Sequence, residues 1–261
     1  MSEDVKMDIQ KPCFLFFDYD GTVFVNGEIS SANRDAMISA RERGHQLILC
    51  TGRAQGSLTK NKEYRTIPWD GIIYGGADIF YKGNFLETHT SEPKDAFSWI
   101  GFGMRKRCRV IFEGQKEIVP FDFDQHPQPF TMKERFEILR RVKEILKTNP
   151  ITKFTVVCVY PPHEDLPKTE MNFIFHPTYT EVFPKGCDKG EAIKSFCKHL
   201  GIELSQCACF GDSMNDYPMF RVCPTSVCMK NSPAALSELA SYHAKEEDGV
   251  AEGLRQLGLA E

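Results

Sequence analysis

No run of apolar residues in this chain approaches the roughly 18 needed to cross a bilayer, and the opening MSEDVKMDIQK carries no apolar stretch of the secretory kind. A membrane partner is therefore not expected, and a cytoplasmic location is. An excess of positive charge is also missing: 32 Lys and Arg stand against 36 Asp and Glu, a net charge of −4, so no nucleic-acid partner is expected. The ten cysteines include no Cys-x-x-Cys pair, and Cys207-Ala-Cys209, both thiols on one strand face, lacks a second pair to complete a zinc site. Cys13, Cys50, Cys158, Cys207 and Cys209 lie in or beside apolar, strand-like runs, where a thiol acts as a small hydrophobe. Buried, reduced cysteines are the expectation. Internal repeats and low-complexity segments are absent as well. What is present is ordinary globular composition, 41% hydrophobic and 26% charged over 261 residues, enough for one large domain or two smaller ones.

The first eighty residues alternate strand and helix. Phe14–Phe17 reads as a strand, Ser30-Ser31 as the cap of a helix through Ala36, Met37 and Ala40, Gln46–Cys50 as a second strand and Gly71–Tyr74 as a third. That alternation implies a parallel sheet with right-handed crossovers. From about Ile79 to Pro184 the pattern changes to paired strands, Val110–Glu113 with Glu117–Val119 and Phe154–Tyr160 with Met171–His176, around an amphipathic helix over Lys133–Thr148. The parallel pattern then resumes. A helix follows Asp188, a strand covers Gln206–Phe210 and another Ser226–Met229, with helices over Pro233–Ala240 and from Gly249. The fold class is α/β: a Rossmann-like parallel-sheet core, residues 1–80 and 185–261, with an inserted α+β domain over 81–184.

Polar clusters follow the strands of the expected core. Asp18 and Asp20 come after the first strand, Thr51 and Arg53 after the second, and Asp212, Asn215 and Asp216 after Gln206–Phe210, while Lys189 opens a helix. In an open parallel sheet such strand ends line the ligand crevice. Asp18, Asp212 and Asp216 together need a cation, and hard oxygens without histidine or thiolate favour Mg²⁺. An EF-hand is excluded because Gly21 comes too early in the run. Among such residues a carboxylate can form an aspartyl phosphate, Thr51-Gly52 and Lys189 can compensate phosphoryl charge, and Asp20 can give a proton to a leaving oxygen.

Asp18-Tyr19-Asp20-Gly21-Thr22-Val23, Thr51-Gly52-Arg53, Lys189 and Gly211-Asp212-Ser213-Met214-Asn215-Asp216 resemble, in order, the four motifs of the haloacid dehalogenase-like hydrolases. The long insertion, Gly76-Ala77 and Glu247-Asp248-Gly249-Val250 are similar to the Cof subfamily with its C2 cap. The resemblance implies a Mg²⁺-dependent phosphatase acting on a small phosphorylated metabolite, a sugar phosphate or a phosphorylated cofactor such as pyridoxal phosphate, as a monomer or weak dimer. It implies Asp18 as nucleophile and metal ligand, and Asp20 as general acid/base giving its backbone carbonyl to the metal. Asp212 would be a further ligand supported by Asp216, Thr51 and Lys189 would hold phosphate, and Gly52, Arg53, Gly75, Gly76 and Asn215 would line the phosphate and substrate.

Two departures from the pattern bear on substrate choice. Relatives often carry Asn-Gly-Ala where this chain has Gly75-Gly76-Ala77, and Met-Gly-Asn-Ala where it has Met229-Lys230-Asn231-Ser232. A phosphomutase on the same site and a catalytically silent phosphometabolite-binding protein are the other readings, although the silent protein should have lost Asp18 or Asp20. Elsewhere plainer structural readings compete. His176 is expected to be satisfied or exposed, the basic run Arg105, Lys106, Arg107 and Arg109 to be a solvated helix end, and Phe121 and Phe123 to be core of the insertion.

Overall fold

The expected first strand is β1 (Phe14–Phe17), with its last three residues buried. In this computed structural model, which describes residues 7–126, 128–158 and 166–261, it leads into α1 (Ser31–Glu42), where the Ser30 side chain accepts the N–H of Asn33 and Ala36, Met37 and Ala40 face inward. Then come β2 (Gln46–Thr51), the single turn α2 (Gln55–Leu58), β3 (Gly71–Tyr74), β4 (Asp78–Tyr81) and β5 (Asn84–Thr88). The middle of the chain forms α3 (Pro93–Lys106), β6 (Arg109–Gly114), β7 (Ile118–Asp122), α4 (Met132–Thr148), β8 (Ile151–Val157), β9 (Asn172–Phe175) and β10 (Tyr179–Phe183). The last third adds α5 (Lys189–Leu200), β11 (Cys207–Gly211), α6 (Tyr217–Val222), β12 (Thr225–Cys228), α7 (Ala234–Ser237), β13 (Tyr242–His243) and α8 (Gly249–Gln256).

These strands make two sheets, as the α/β reading with a separate insertion requires. One has eight strands in the order β13-β12-β11-β1-β2-β3-β4-β5 and the other five in the order β7-β6-β8-β10-β9. The larger is parallel from β13 to β3, and β4 and β5 extend it as an antiparallel hairpin. The chain divides into two compact units: one runs to Arg53 and includes Asn61–Thr88 and Asp188–Glu261, and the other holds Ala54–Lys60 and His89–Cys187.

In the first unit Phe16, Ile48, Ile73, Cys207 and Cys209 pack against Ile193 and Phe196 of α5 and Met219 of α6. Its cysteines do behave as core hydrophobes. In the second, Trp99 and Phe102 of α3 and Val142 of α4 cover Val110, Phe112, Phe121, Phe154 and Val182 on one face of the five-stranded sheet, and Phe123 joins them. Arg105 and Lys106 close α3, with Arg107 in the left-handed conformation as its cap.

Three expectations are corrected. Cys158 is not a reduced thiol but is disulfide-bonded to Cys108. The cause is register: Arg109 of β6 pairs with Val157 of β8 across an antiparallel ladder, which brings the next residues on either side together. Secondly, β8 does not pair with β9. Strand β10 lies between them, because it turns directly back from β9 and its Tyr179 pairs with Val157 while its Thr180 pairs with Phe175. The end of the strand expected over Phe154–Tyr160 lies outside the described residues. Thirdly, the helix expected over Pro233–Ala240 is a single turn, since the chain must reach β13 at Tyr242.

The sheet face of the second unit opposite its helices carries a buried ion cluster. Lys153 Nζ lies 3.3 Å from Glu113 and 2.5 Å from Glu181, and His176 Nε2 lies 3.1 Å from the other Glu181 oxygen. His176 is thus a satisfied histidine. Burial alone would raise the Glu181 carboxyl, but His176 and Lys153 outweigh it and hold the group at about 2, below its ordinary 4.5. A lowered folded-state value contributes stability above pH 4.5 that disappears as pH falls toward 2. Glu181→Gln should therefore lower stability at neutral pH by about 1 to 3 kcal/mol and flatten the loss of stability over that acid window. Urea denaturation as a function of pH reads both effects, and an unchanged acid limb would contradict the assignment.

Candidate active site

The C-terminal ends of β1, β2 and β11 lie side by side, because β1 pairs in parallel with both others. Asp18 extends the ladder by one step, its N–H donating to the Phe210 carbonyl at 2.9 Å. Thr51 is the last residue of β2 and Asp212 the first after β11. Lys189 begins α5, where the Asp188 side chain caps the helix by accepting the Glu191 N–H. Parallel pairing thus turns four separate sequence motifs into one locus.

At its centre the Lys189 ammonium donates to Asp18 and, at 2.5 Å, to Oδ1 of Asp216. All three are almost wholly buried, with Asp216 at 0% exposure. The other Asp216 oxygen accepts the N–H groups of Asp212 and Ser213 at 2.9 and 3.0 Å. Asp216 is therefore committed to shaping its loop and holding Lys189. Gly211 is required beneath it, because a Cβ there would come within 2.6 Å of the Asp216 carboxyl carbon.

Burial opposes charge on Lys189, but Asp18 and Asp216 more than offset this and keep it cationic. Burial, then the Asp216 charge, pushes the Asp18 carboxyl well up, and the same two causes raise Asp212. Three carboxylates around one ammonium leave unneutralised negative charge, the condition that a cation relieves.

The phosphate-binding candidates gather around this centre. The Thr51 hydroxyl accepts the Arg53 N–H at 3.1 Å, so its own proton is available for donation. Asn215, held by Ser213 Oγ at 3.0 Å, brings its amide nitrogen to 3.4 Å from where a Cβ on Gly52 would stand. Gly75 and Gly76 both take positive φ, 58° and 66°. The Gly75 N–H donates to the Thr51 carbonyl at 2.8 Å, so Gly75 braces β2, and a Cβ on Gly76 would collide with the backbone of Asp188.

A model of the haloacid dehalogenase-like hydrolase family matches residues 15–254, a span that holds every residue just described. The chain belongs to the haloacid dehalogenase-like hydrolases. It is 32% identical over 242 residues to the HMP-PP phosphatase of Cronobacter sakazakii, covering 85% of this chain and 86% of that one. Among solved structures it is similar in fold to BT1666 from Bacteroides thetaiotaomicron, at TM-score 0.79 and 18% identity over 96% of each chain. It is likewise similar to the subclass IIB sugar phosphatase BT4131, at TM-score 0.77 and 22% identity over 95% of this chain and 99% of that one.

For this haloacid dehalogenase-like hydrolase, the fit of Mg²⁺ can be judged from the donor set. Carboxylate oxygens of Asp18, Asp212 and Asp216 all lie within 4.8 Å of one another, with no imidazole or thiolate in the group. Hard oxygen donors of this kind suit Mg²⁺. With Asp216 already engaged, Asp18 and Asp212 are the side chains that would hold the ion. The Asp20 side chain is not one of this carboxylate group: its two oxygens accept from Nε and a terminal nitrogen of Arg53 at 2.7 and 2.5 Å.

Thr22 and Gly21 complete the site although the sequence reading gave them no role. Thr22 Oγ1 donates to Asp212 Oδ1 at 2.8 Å, which aims that carboxylate. Gly21 has φ +87°, and a Cβ on it would collide with the Asp212 carboxylate. The signal was present in Asp-Gly-Thr itself, but its partner lies 190 residues away. Gly21→Ala should raise the Mg²⁺ concentration for half-maximal activity by about 10- to 100-fold. A Mg²⁺ titration of phosphate release measures this, and an unchanged midpoint would refute it.

Proposed function

We propose that this haloacid dehalogenase-like phosphatase hydrolyses a small phosphorylated metabolite, a sugar phosphate or a phosphorylated cofactor, by way of an aspartyl phosphate on Asp18. The observation that carries this reading is the buried Lys189 between Asp18 and Asp216, with Asp212 beside them. Lys189 keeps an oxygen of Asp18 oriented and compensates phosphoryl charge. In the first step Asp18 attacks phosphorus while Asp20 protonates the departing oxygen. In the second, Asp20 takes a proton from the water that attacks the same phosphorus and frees Asp18. Thr51 and the Gly52 and Asn215 edge receive the phosphoryl oxygens; Asp18, the Asp20 carbonyl and Asp212 are the groups that would hold Mg²⁺, which would supply positive charge at that site.

The substrate class draws support from the HMP-PP phosphatase and the sugar phosphatase among its relatives. The second compact unit, which the sequence reading placed over 81–184, is assigned the role of a C2-type cap, and the protein a cytoplasmic location as a monomer or weak dimer. Among the described residues no helix is long and apolar enough to cross a membrane. The test is phosphate release from a panel of sugar phosphates, nucleotides and phosphorylated cofactors, with Mg²⁺ or with chelator. Metal-dependent release from sugar or cofactor phosphates is expected, and their ranking by kcat/KM nominates the substrate. Isomerised sugar phosphate without free phosphate would select the mutase instead.

A further inference from the structure

The general acid/base Asp20 is half exposed, with 49% of its side chain accessible, and a carboxylate so placed has rotational freedom that proton transfer does not tolerate. Its partner removes that freedom. Arg53 grips both oxygens as a fork, the geometry that fixes a carboxylate rather than merely attracting it. An exposed ion pair adds little to stability, so the order it imposes is its main effect.

The fork is itself held by this chain's own aromatics. The Tyr19 carbonyl accepts the N–H groups of Thr22, Val23 and Phe24 at 3.4, 3.1 and 2.8 Å, and Gly21 N–H donates to the Phe24 carbonyl at 3.0 Å. This tight loop folds Phe24 back onto Tyr19, the rings 5.0 Å apart and within 5° of parallel. The guanidinium carbon of Arg53 lies 5.3 Å from the Tyr19 centroid and 5.9 Å from that of Phe24, within reach of both ring faces. Arg53 is thus fixed by two aromatic faces, by Asp20, and at its own N–H by the Thr51 hydroxyl.

We infer that Arg53, seated on the Tyr19–Phe24 stack, is a positioning residue that orients the Asp20 carboxyl for proton transfer. The inference rests on the phosphatase reading above. Arg53 exchanges no proton: it donates two hydrogen bonds, and each Asp20 oxygen keeps a second lone pair for the proton it gives to the leaving oxygen or takes from water.

The test compares substrates that differ in their need for that proton. Glucose 6-phosphate has an alkoxide leaving group that must be protonated, whereas p-nitrophenyl phosphate releases a stable phenolate. Arg53→Ala should lower kcat on glucose 6-phosphate by about 100-fold, the lower range for general acid catalysis, and by at least about tenfold less on p-nitrophenyl phosphate. Phe24→Leu should shift the same ratio in the same direction to a smaller extent, Tyr19→Phe should leave it alone, and Arg53→Lys should not restore it, because an ammonium lacks the fork. In an Asp20→Asn background, adding Arg53→Ala should change neither rate. Equal losses on both substrates, a change confined to KM, full rescue by lysine, or a further loss beyond Asp20→Asn would overturn the inference. Failure of the unmodified protein to release phosphate from either compound would overturn the phosphatase reading first, and the inference with it.

Discussion

Asp18→Asn should abolish phosphate release, with kcat falling on the order of 10⁶-fold, the scale of losing a covalent nucleophile. The amide keeps the shape of the carboxylate but cannot attack phosphorus at a useful rate. Its fold should survive, because the substitution removes one of three mutually repelling carboxylates around Lys189. Burial and the Asp216 charge already push the Asp18 carboxyl up, so a neutral group there is well tolerated. The expected result is an inactive protein with unchanged or slightly raised thermal stability in the absence of Mg²⁺. Circular dichroism melting beside a phosphate assay separates the two effects. A variant that retained a tenth of the activity would remove Asp18 from the chemistry.

Lys189→Met should damage both fold and function. The side chain is 4% exposed and bonded to two carboxylates. Methionine fills much of its volume but leaves Asp18 and Asp216 facing each other in a buried site without a counter-ion. Breaking a buried ion pair from one side typically costs about 3 to 5 kcal/mol. The loss should be largest at neutral pH and shrink at low pH, where Asp18, whose carboxyl burial and then the Asp216 charge push up, accepts a proton. Activity should fall by at least about 10³-fold, since a preorganised charge at the phosphoryl group is lost as well. Denaturant midpoints with and without Mg²⁺ give the stability side, and partial recovery in Mg²⁺ is expected because the ion supplies positive charge to the same aspartates. An undiminished denaturation midpoint would show that Lys189 is not the counter-ion of the site.

The two predictions draw on residues that were readable for different reasons. Asp18, Thr51 and Asp212 are legible because each closes a short apolar run, and a parallel sheet sends all such ends to one edge. Lys189 is legible from its place at the start of a helix after Asp188. What a linear reading could not supply is pairing across distance. Cys108 and Cys158 looked like separate buried thiols until antiparallel register set them opposite each other. Strand β10 was hidden because Thr180 and Val182 alternate with Glu181, a charged residue neutralised by Lys153 on another strand. Arg53 and Asp20 are 33 residues apart, and only the fold shows that the arginine donates to both oxygens of the second aspartate. Asp216 read as metal-site support, and only the fold shows that it accepts hydrogen bonds from Lys189 and from the Asp212 and Ser213 N–H groups.

The most direct test of the account is to look for the phosphoryl group on Asp18 during turnover. The protein would be mixed with Mg²⁺ and its best substrate from the panel, quenched in acid within milliseconds, reduced with borohydride and digested for tandem mass spectrometry. An acyl phosphate is reduced by this treatment to the alcohol, so conversion of Asp18 to homoserine, dependent on substrate and absent from unreacted protein, is the predicted result. Phosphate release that proceeds at full rate while Asp18 remains unmodified at every quench time, with the label on another residue, would contradict it.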